Sequence, residues 1–74
     1  MLVGIPKEIK NHEYRVSLTP KGVKALIADG HSVVVETNAG KAIGYEDHHY
    51  QDAGAQIAST AKEVFDQAEF IIKV

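Results

Sequence analysis

Apolar residues recur along this chain in two rhythms, and the alternation between them lays out its elements. Residues 2–5, Leu-Val-Gly-Ile, form a short apolar run that Pro6 ends, because proline has no N–H to give to a sheet. Residues 7–14 are crowded with charge of both signs and read as a loop. Residues 15–18, Arg-Val-Ser-Leu, read as a brief extended piece. Strand side chains alternate, so Glu13, Arg15 and Ser17 are expected on one face and Val16 and Leu18 on the other. Thr19-Pro20 then opens a helix, with threonine as N-cap and proline at the first helical position, where its missing N–H costs nothing. Val23, Leu26 and Ile27 make one apolar stripe, and Gly30 stands where a left-handed cap is wanted, so the spacing predicts a helix over 20–29.

Beyond it, Val33-Val34-Val35 is an unbroken β-branched run, the pattern of a strand covered on both faces. Residues 36–44 read as a loop, 45–53 as a short helix closed by Gly54, and 55–58 as a short extended segment. Thr60 with Glu63 fits a capping box for a helix reaching about Gln67, and residues 70–74 are a last apolar strand. Strands alternating with helices predict an α/β fold with a mostly parallel, Rossmann-like or flavodoxin-like sheet and flanking helices. Such a sheet needs cover on both faces, and two or three helices supply little. With the chain stopping inside an apolar run, the expectation is the front part of a larger domain, incomplete within residues 1–74.

Composition narrows the classes. Seventy-four residues make one small domain at most, and 45% hydrophobic content is too rich for a disordered segment. The formal net charge of −2, with signs interspersed, offers no basic stripe to nucleic acid. There are no cysteines, hence no disulfide and no thiolate metal site, which is compatible with a reducing compartment. No run approaches the length of a membrane span, and the first residues lack the charged and apolar regions of a signal peptide. A soluble, cytoplasmic protein is the expectation.

Several residues invite a chemical reading. Arg15 carries a planar fork that can grip a carboxylate with two parallel hydrogen bonds, although Glu13 nearby is an obvious structural partner. His12, near Arg15, could act as acid or base, since imidazole titrates near neutrality. His48-His49, beside Glu46 and Asp47, suggests a metal site on paper. Adjacent helical residues point about 100° apart, and helical ligand pairs need i, i+4 spacing, so a solvated face is the better reading and no metal is expected. Asn38-Ala39-Gly40-Lys41-Ala42-Ile43-Gly44 matches neither G-x-G-x-x-G nor a P-loop and reads as a turn. No residue of the chain is therefore assigned to a cofactor.

The stretch from Gly4 to Gly30 nevertheless resembles a known family. Gly4-Ile5-Pro6, Glu8, Asn11, Glu13, Arg15-Val16, Thr19-Pro20, Val23, Leu26 and Gly30 look like the opening of the alanine dehydrogenases, shared more loosely with the alpha subunit of proton-translocating nicotinamide nucleotide transhydrogenase. Glu36-Thr37-Asn38-Ala39-Gly40 and Ala53-Gly54-Ala55 echo it further on. The resemblance implies that Arg15 binds the substrate carboxylate, and it implies no catalytic residue among the first 74. It also implies that residues 1–74 open the substrate domain, and that NAD is bound by a separate Rossmann domain absent from this chain. A hexameric homo-oligomer acting on L-alanine and pyruvate would be the intact enzyme, with this portion alone inactive. The family's second strand-end lysine binds substrate. Lys73 matches the first, so that role is not carried to it, and it stands as a strand-end charge at the sheet's carboxyl edge. Two alternatives stay open: the N-terminal part of the transhydrogenase alpha subunit, and a non-catalytic α/β module that binds a small molecule.

Overall fold

The computed structural model describes residues 1–7 and 18–72. Its strands are β1 (Leu2–Ile5), β2 (Ser32–Glu36), β3 (Gln56–Ala58) and β4 (Phe70–Ile71), and its α-helices are α1 (Pro20–Ala28), α2 (Asp47–Asp52) and α3 (Ala61–Gln67), with a 3-10 turn at Lys41–Ile43. The strands form one sheet in the order β3-β2-β1-β4, and every pairing is parallel. The parallel α/β architecture expected from the alternating rhythms is thus the one found.

Register explains the β-branched run. Val3 lies beside Val33 and Ile5 beside Val35, and these four side chains face α1 and α2, where they meet Val23 and Tyr50. The opposite face carries Leu2, Val34, Ala58 and Ile71, which pack against Val64 of α3. All three valines of β2 are therefore buried although they point to opposite sides. One strand separates two small cores.

Helix ends follow their residues. Thr19 accepts a hydrogen bond from Gly22 N at 3.4 Å and Pro20 fills the first helical position. At the other end Gly30 N donates to Ile27 O and His31 N to Leu26 O, a double closure of the last turn. Gly54 N to Gln51 O and Ala55 N to Tyr50 O repeat it after α2. The expected capping box of α3 is altered in one half. Thr60 Oγ1 accepts from Glu63 N at 3.2 Å, but the Glu63 carboxylate takes the N–H of Ser59 at 3.1 Å instead of the cap residue's own.

Other boundaries shift for physical reasons. Glu36 belongs to β2 because its neighbour Ala58 continues the ladder, with Thr37 N donating to Ala58 O. The segment expected as a bare loop contains the 3-10 turn, with Asn38 at φ 66° before it and Gly44 after it. Helix α2 begins at Asp47, not at Tyr45, because Glu46 is extended and caps it. Strand β4 is described only at Phe70–Ile71, and Lys73 and Val74 lie outside the described residues, as does most of the extended piece expected at 15–18.

Gly4 is one of the places where α3 and its C-cap Ala68 lie against the sheet. A Cβ there would stand 2.7 Å from Ala68 Cβ, 2.8 Å from Val64 Cγ1 and 2.9 Å from Ile71 Cδ1. Real side chains do not approach that closely, so a methyl group must push the helix off the sheet. Gly4→Ala is expected to destabilise the folded protein by about 1–3 kcal/mol in urea unfolding, the usual range for overpacking. Adding Ala68→Gly should recover part of the loss. Unchanged stability in the single variant would show that α3 is not held this tightly.

Candidate functional site

In an open parallel sheet, ligands collect beyond the carboxyl ends of the strands, where the strand order changes direction. Here the connections run outward from β1 to β2 to β3, then return across β1 to place β4 on its other side. The carboxyl ends of β1 and β4 flank that switch point. Leaving β1, the chain passes through Pro6 and Lys7, and Ile72 follows β4, its N–H donating to Gly4 O at 2.9 Å.

A set of polar contacts builds this edge. The Glu36 carboxylate, at the end of β2, accepts the backbone N–H of Lys7 at 2.8 Å. Asp47, the first residue of α2, accepts from Thr37 Oγ1 at 2.5 Å with one oxygen and from Asn38 N at 2.8 Å with the other. Both oxygens of one carboxylate thus hold the chain where it turns through the left-handed residue Asn38. The Tyr50 ring is fully buried among the residues of the sheet face that carries Val3 and Val33, and its hydroxyl donates to Leu18 O at 3.0 Å. Leu18 is seated as well, because its side chain occupies the space beside Gly22, where a Cβ would lie 2.5 Å from Leu18 Cδ1.

The glycine-containing segment acquires a role in this arrangement. A Cβ on Gly40 would stand 2.7 Å from Tyr50 Oη and 2.9 Å from Tyr45 Cβ, so Gly40 clears the path of the tyrosine. It does not line a phosphate cradle, and the βα turn after β1 runs through Pro6 and Lys7 without glycine. The described residues do not fit the pyrophosphate of a dinucleotide.

Arg15, the expected carboxylate ligand, and His12 lie outside the described residues, as does Lys73. His48 and His49 are exposed on α2, with ring centroids 4.2 Å apart. His49 is structural, since its Nδ1 accepts the Glu46 N–H at 2.8 Å and so closes the first turn of α2. Among the described residues, no group of three or more His, Cys, Asp or Glu side chains is placed to hold a metal ion.

Sequence reasoning misses Glu36, Asp47 and Tyr50 as builders of this edge. Local pattern groups Asp47 with a solvated helix face, and aspartate in a first helical turn is ordinarily a complement to the helix dipole. Its partners, nine and ten residues earlier, appear only when the chain folds back. A tyrosine among helical polar residues is the available signal, since a buried phenol must find an acceptor.

A four-stranded parallel sheet in this order, with helices on both faces, defines an α/β domain of the doubly wound class. Comparison with known proteins makes the assignment specific. Residues 4–74 match the family described as alanine dehydrogenase/PNT, N-terminal domain, and the chain belongs to that family. It is 57% identical over 74 residues to an alanine dehydrogenase of Methanococcus maripaludis and 54% identical over 74 residues to one of Bacillus subtilis. Both matches take in the whole chain and 20% and 19% of those proteins, so the chain spans about a fifth of their length. Among solved structures, an L-alanine dehydrogenase superposes with a TM-score of 0.94 at 45% identity, covering 99% of this chain and 20% of that one. A transhydrogenase from Sinorhizobium meliloti superposes at 0.91 with 37% identity, covering 99% and 21%.

Burial, and to a lesser degree the neighbouring Tyr45, pushes the Tyr50 hydroxyl up from 10.0 to about 12. The neutral phenol is favoured by folding, so its contribution is complete below pH 10 and is lost as pH rises from 10 toward 12. Between about pH 9 and about pH 12, the wild-type protein should lose roughly 2–3 kcal/mol more stability than Tyr50→Phe in urea unfolding. Equal losses in the two proteins would mean that the hydroxyl titrates freely.

Proposed function

We propose that residues 1–74 are the N-terminal portion of the substrate domain of an NAD-dependent L-alanine dehydrogenase. The reaction converts L-alanine, NAD⁺ and water to pyruvate, ammonium, NADH and a proton. Identity of 57% and 54% over the full 74 residues to two alanine dehydrogenases carries this reading. The lower identity of 37% to the transhydrogenase ranks that relationship second. NAD would be bound outside this chain, whose sequence carries neither G-x-G-x-x-G nor a P-loop.

The proposed contribution of this portion is to hold the substrate carboxylate. Arg15 is the residue suited to it, since a guanidinium fork can pair with both carboxylate oxygens at once. Lysine keeps the charge but cannot reproduce the fork. Fixing the carboxylate orients the substrate's second carbon for reaction, which is worth far more than affinity alone. In the intact protein we further propose a cytoplasmic homo-oligomer, hexameric as in the resembled family. Among the described residues no helix is long and apolar enough to cross a membrane.

Two measurements test the reading. The full-length protein should form NADH when given L-alanine and NAD, which a transhydrogenase alpha subunit or a non-catalytic module would not do. Arg15→Lys should raise the KM for pyruvate by about tenfold or more, the scale of a charge-assisted hydrogen bond lost. An unchanged KM would remove Arg15 from the site.

A further inference from the structure

The joint between α1 and β2 carries a reactive dipeptide outside the proposed site. Asp29-Gly30 is the only place in the sequence where an aspartate or asparagine is followed by glycine. Asp29 is exposed, and open space surrounds the position a Cβ would take on Gly30, so no side chain shields the backbone nitrogen between them. An unshielded glycine nitrogen can attack the preceding side-chain carboxyl. The structure holds that nitrogen back in two ways. Asp29 closes α1 with ψ 3°, which places Gly30 N over the nitrogen of Asp29 instead of over its Cβ, where ring closure needs it. The Gly30 N–H is also spent on Ile27 O at 3.0 Å, in a turn completed by the N–H groups of Asp29 and His31, each 3.1 Å from Leu26 O. Rotating the Asp29 carbonyl toward Cβ takes the Gly30 N–H away from its acceptor. We propose that Asp29-Gly30 is an isoaspartate-forming site gated by the last turn of α1. It is unreactive while the turn is closed, and its reaction stops the turn from closing again.

The chemistry balances within the chain and water. With the turn open, Gly30 N bonds to Asp29 Cγ, and the carboxyl hydroxyl and the amide proton leave as one water. The product is a five-membered cyclic imide, which a second water opens. Breaking the bond from Cγ to nitrogen restores aspartate. Breaking the bond from the main-chain carbonyl carbon to nitrogen leaves Gly30 attached through Cγ, with the Asp29 Cβ now part of the main chain. That extra carbon lies between the end of α1 and the start of β2. His31 N–H is held by Leu26 O on the helix, and Ser32 N–H by Met1 O on the sheet at 2.9 Å. A longer connection displaces one of these bonds or the other. Ser32 opens β2, the strand between the two cores, so the lesion bears on how α1 is set against the sheet.

The test is to age the full-length protein at neutral pH and physiological temperature, folded and in guanidinium chloride. Trypsin releases Asp29 in the peptide 25–41, where it is the only aspartate. Isoaspartate there is read by its separate elution and by labelling with an isoaspartyl methyltransferase. It is expected to form about tenfold or more slowly in the folded protein than in denaturant, because the hydrogen bonds of the turn must open first. Asp29→Glu should leave the peptide unlabelled, since the larger ring closes far more slowly. Folded protein enriched in the modified form should melt at a lower midpoint than the unmodified protein. Equal rates in the folded and denatured protein would overturn the gate. More isoaspartate at Asp47, Asp52 or Asp66 than at Asp29 in denaturant, or a label that persists in Asp29→Glu, would overturn the site. An unchanged midpoint in the modified protein would show that the turn still closes, and would overturn the second half of the proposal.

Discussion

The hydrogen bond from Tyr50 to Leu18 ties helix α2 to the residue just before the cap of α1. Its ring belongs to the core beneath the sheet, among Val3, Val23, Val33 and Val35, so the tyrosine is fixed by apolar packing before its hydroxyl does anything. From that fixed point the hydroxyl reaches a carbonyl 32 residues earlier. Burying a phenol without an acceptor costs more than the bond itself returns, so ring and acceptor constrain each other. Helix α2, the turn at Gly40 and the start of α1 must all lie where this bond is possible. A core residue thereby holds the residue that precedes the cap of α1.

The sheet supplies the other constraint. Its second strand is covered on both faces, and β1 sits between β2 and β4. Placing the first strand of the chain in the interior of the sheet brings Pro6 and Lys7 to the switch point, the natural place for a ligand. Gly4 allows this by letting α3 lie directly on β1. The glycine belongs to packing and the residues after Pro6 belong to the edge, so neighbouring positions in one short motif answer to different forces.

Much of the fold is legible in the sequence, and for a definite reason. Patterns that act within a few residues, such as the apolar runs, the helical stripe at Val23, Leu26 and Ile27, and the caps at Thr19, Thr60 and Gly30, are written locally and survive folding nearly unchanged. The resemblance to the alanine dehydrogenases is legible too, because it rests on residues in fixed order. What folding alters lies at element ends. Glu36 joins β2 because Ala58 is there to pair beside it, and the Glu63 carboxylate turns to the N–H of Ser59. Each choice depends on a neighbour that sequence order does not reveal.

The sequence alone determined the class of the chain and its alternating strands and helices. Charge and hydrophobic rhythm are properties of the residues themselves. Only the tertiary structure decided what Glu36, Asp47, Gly40 and Tyr50 are for. The hydrogen-bond partners of Glu36, Asp47 and Tyr50 lie between 9 and 32 positions away, and no local pattern encodes such distances. Gly40 shows its purpose only where Tyr50 and Tyr45 crowd against it. A hydrogen bond across the fold exists only once the sheet has brought its two ends together.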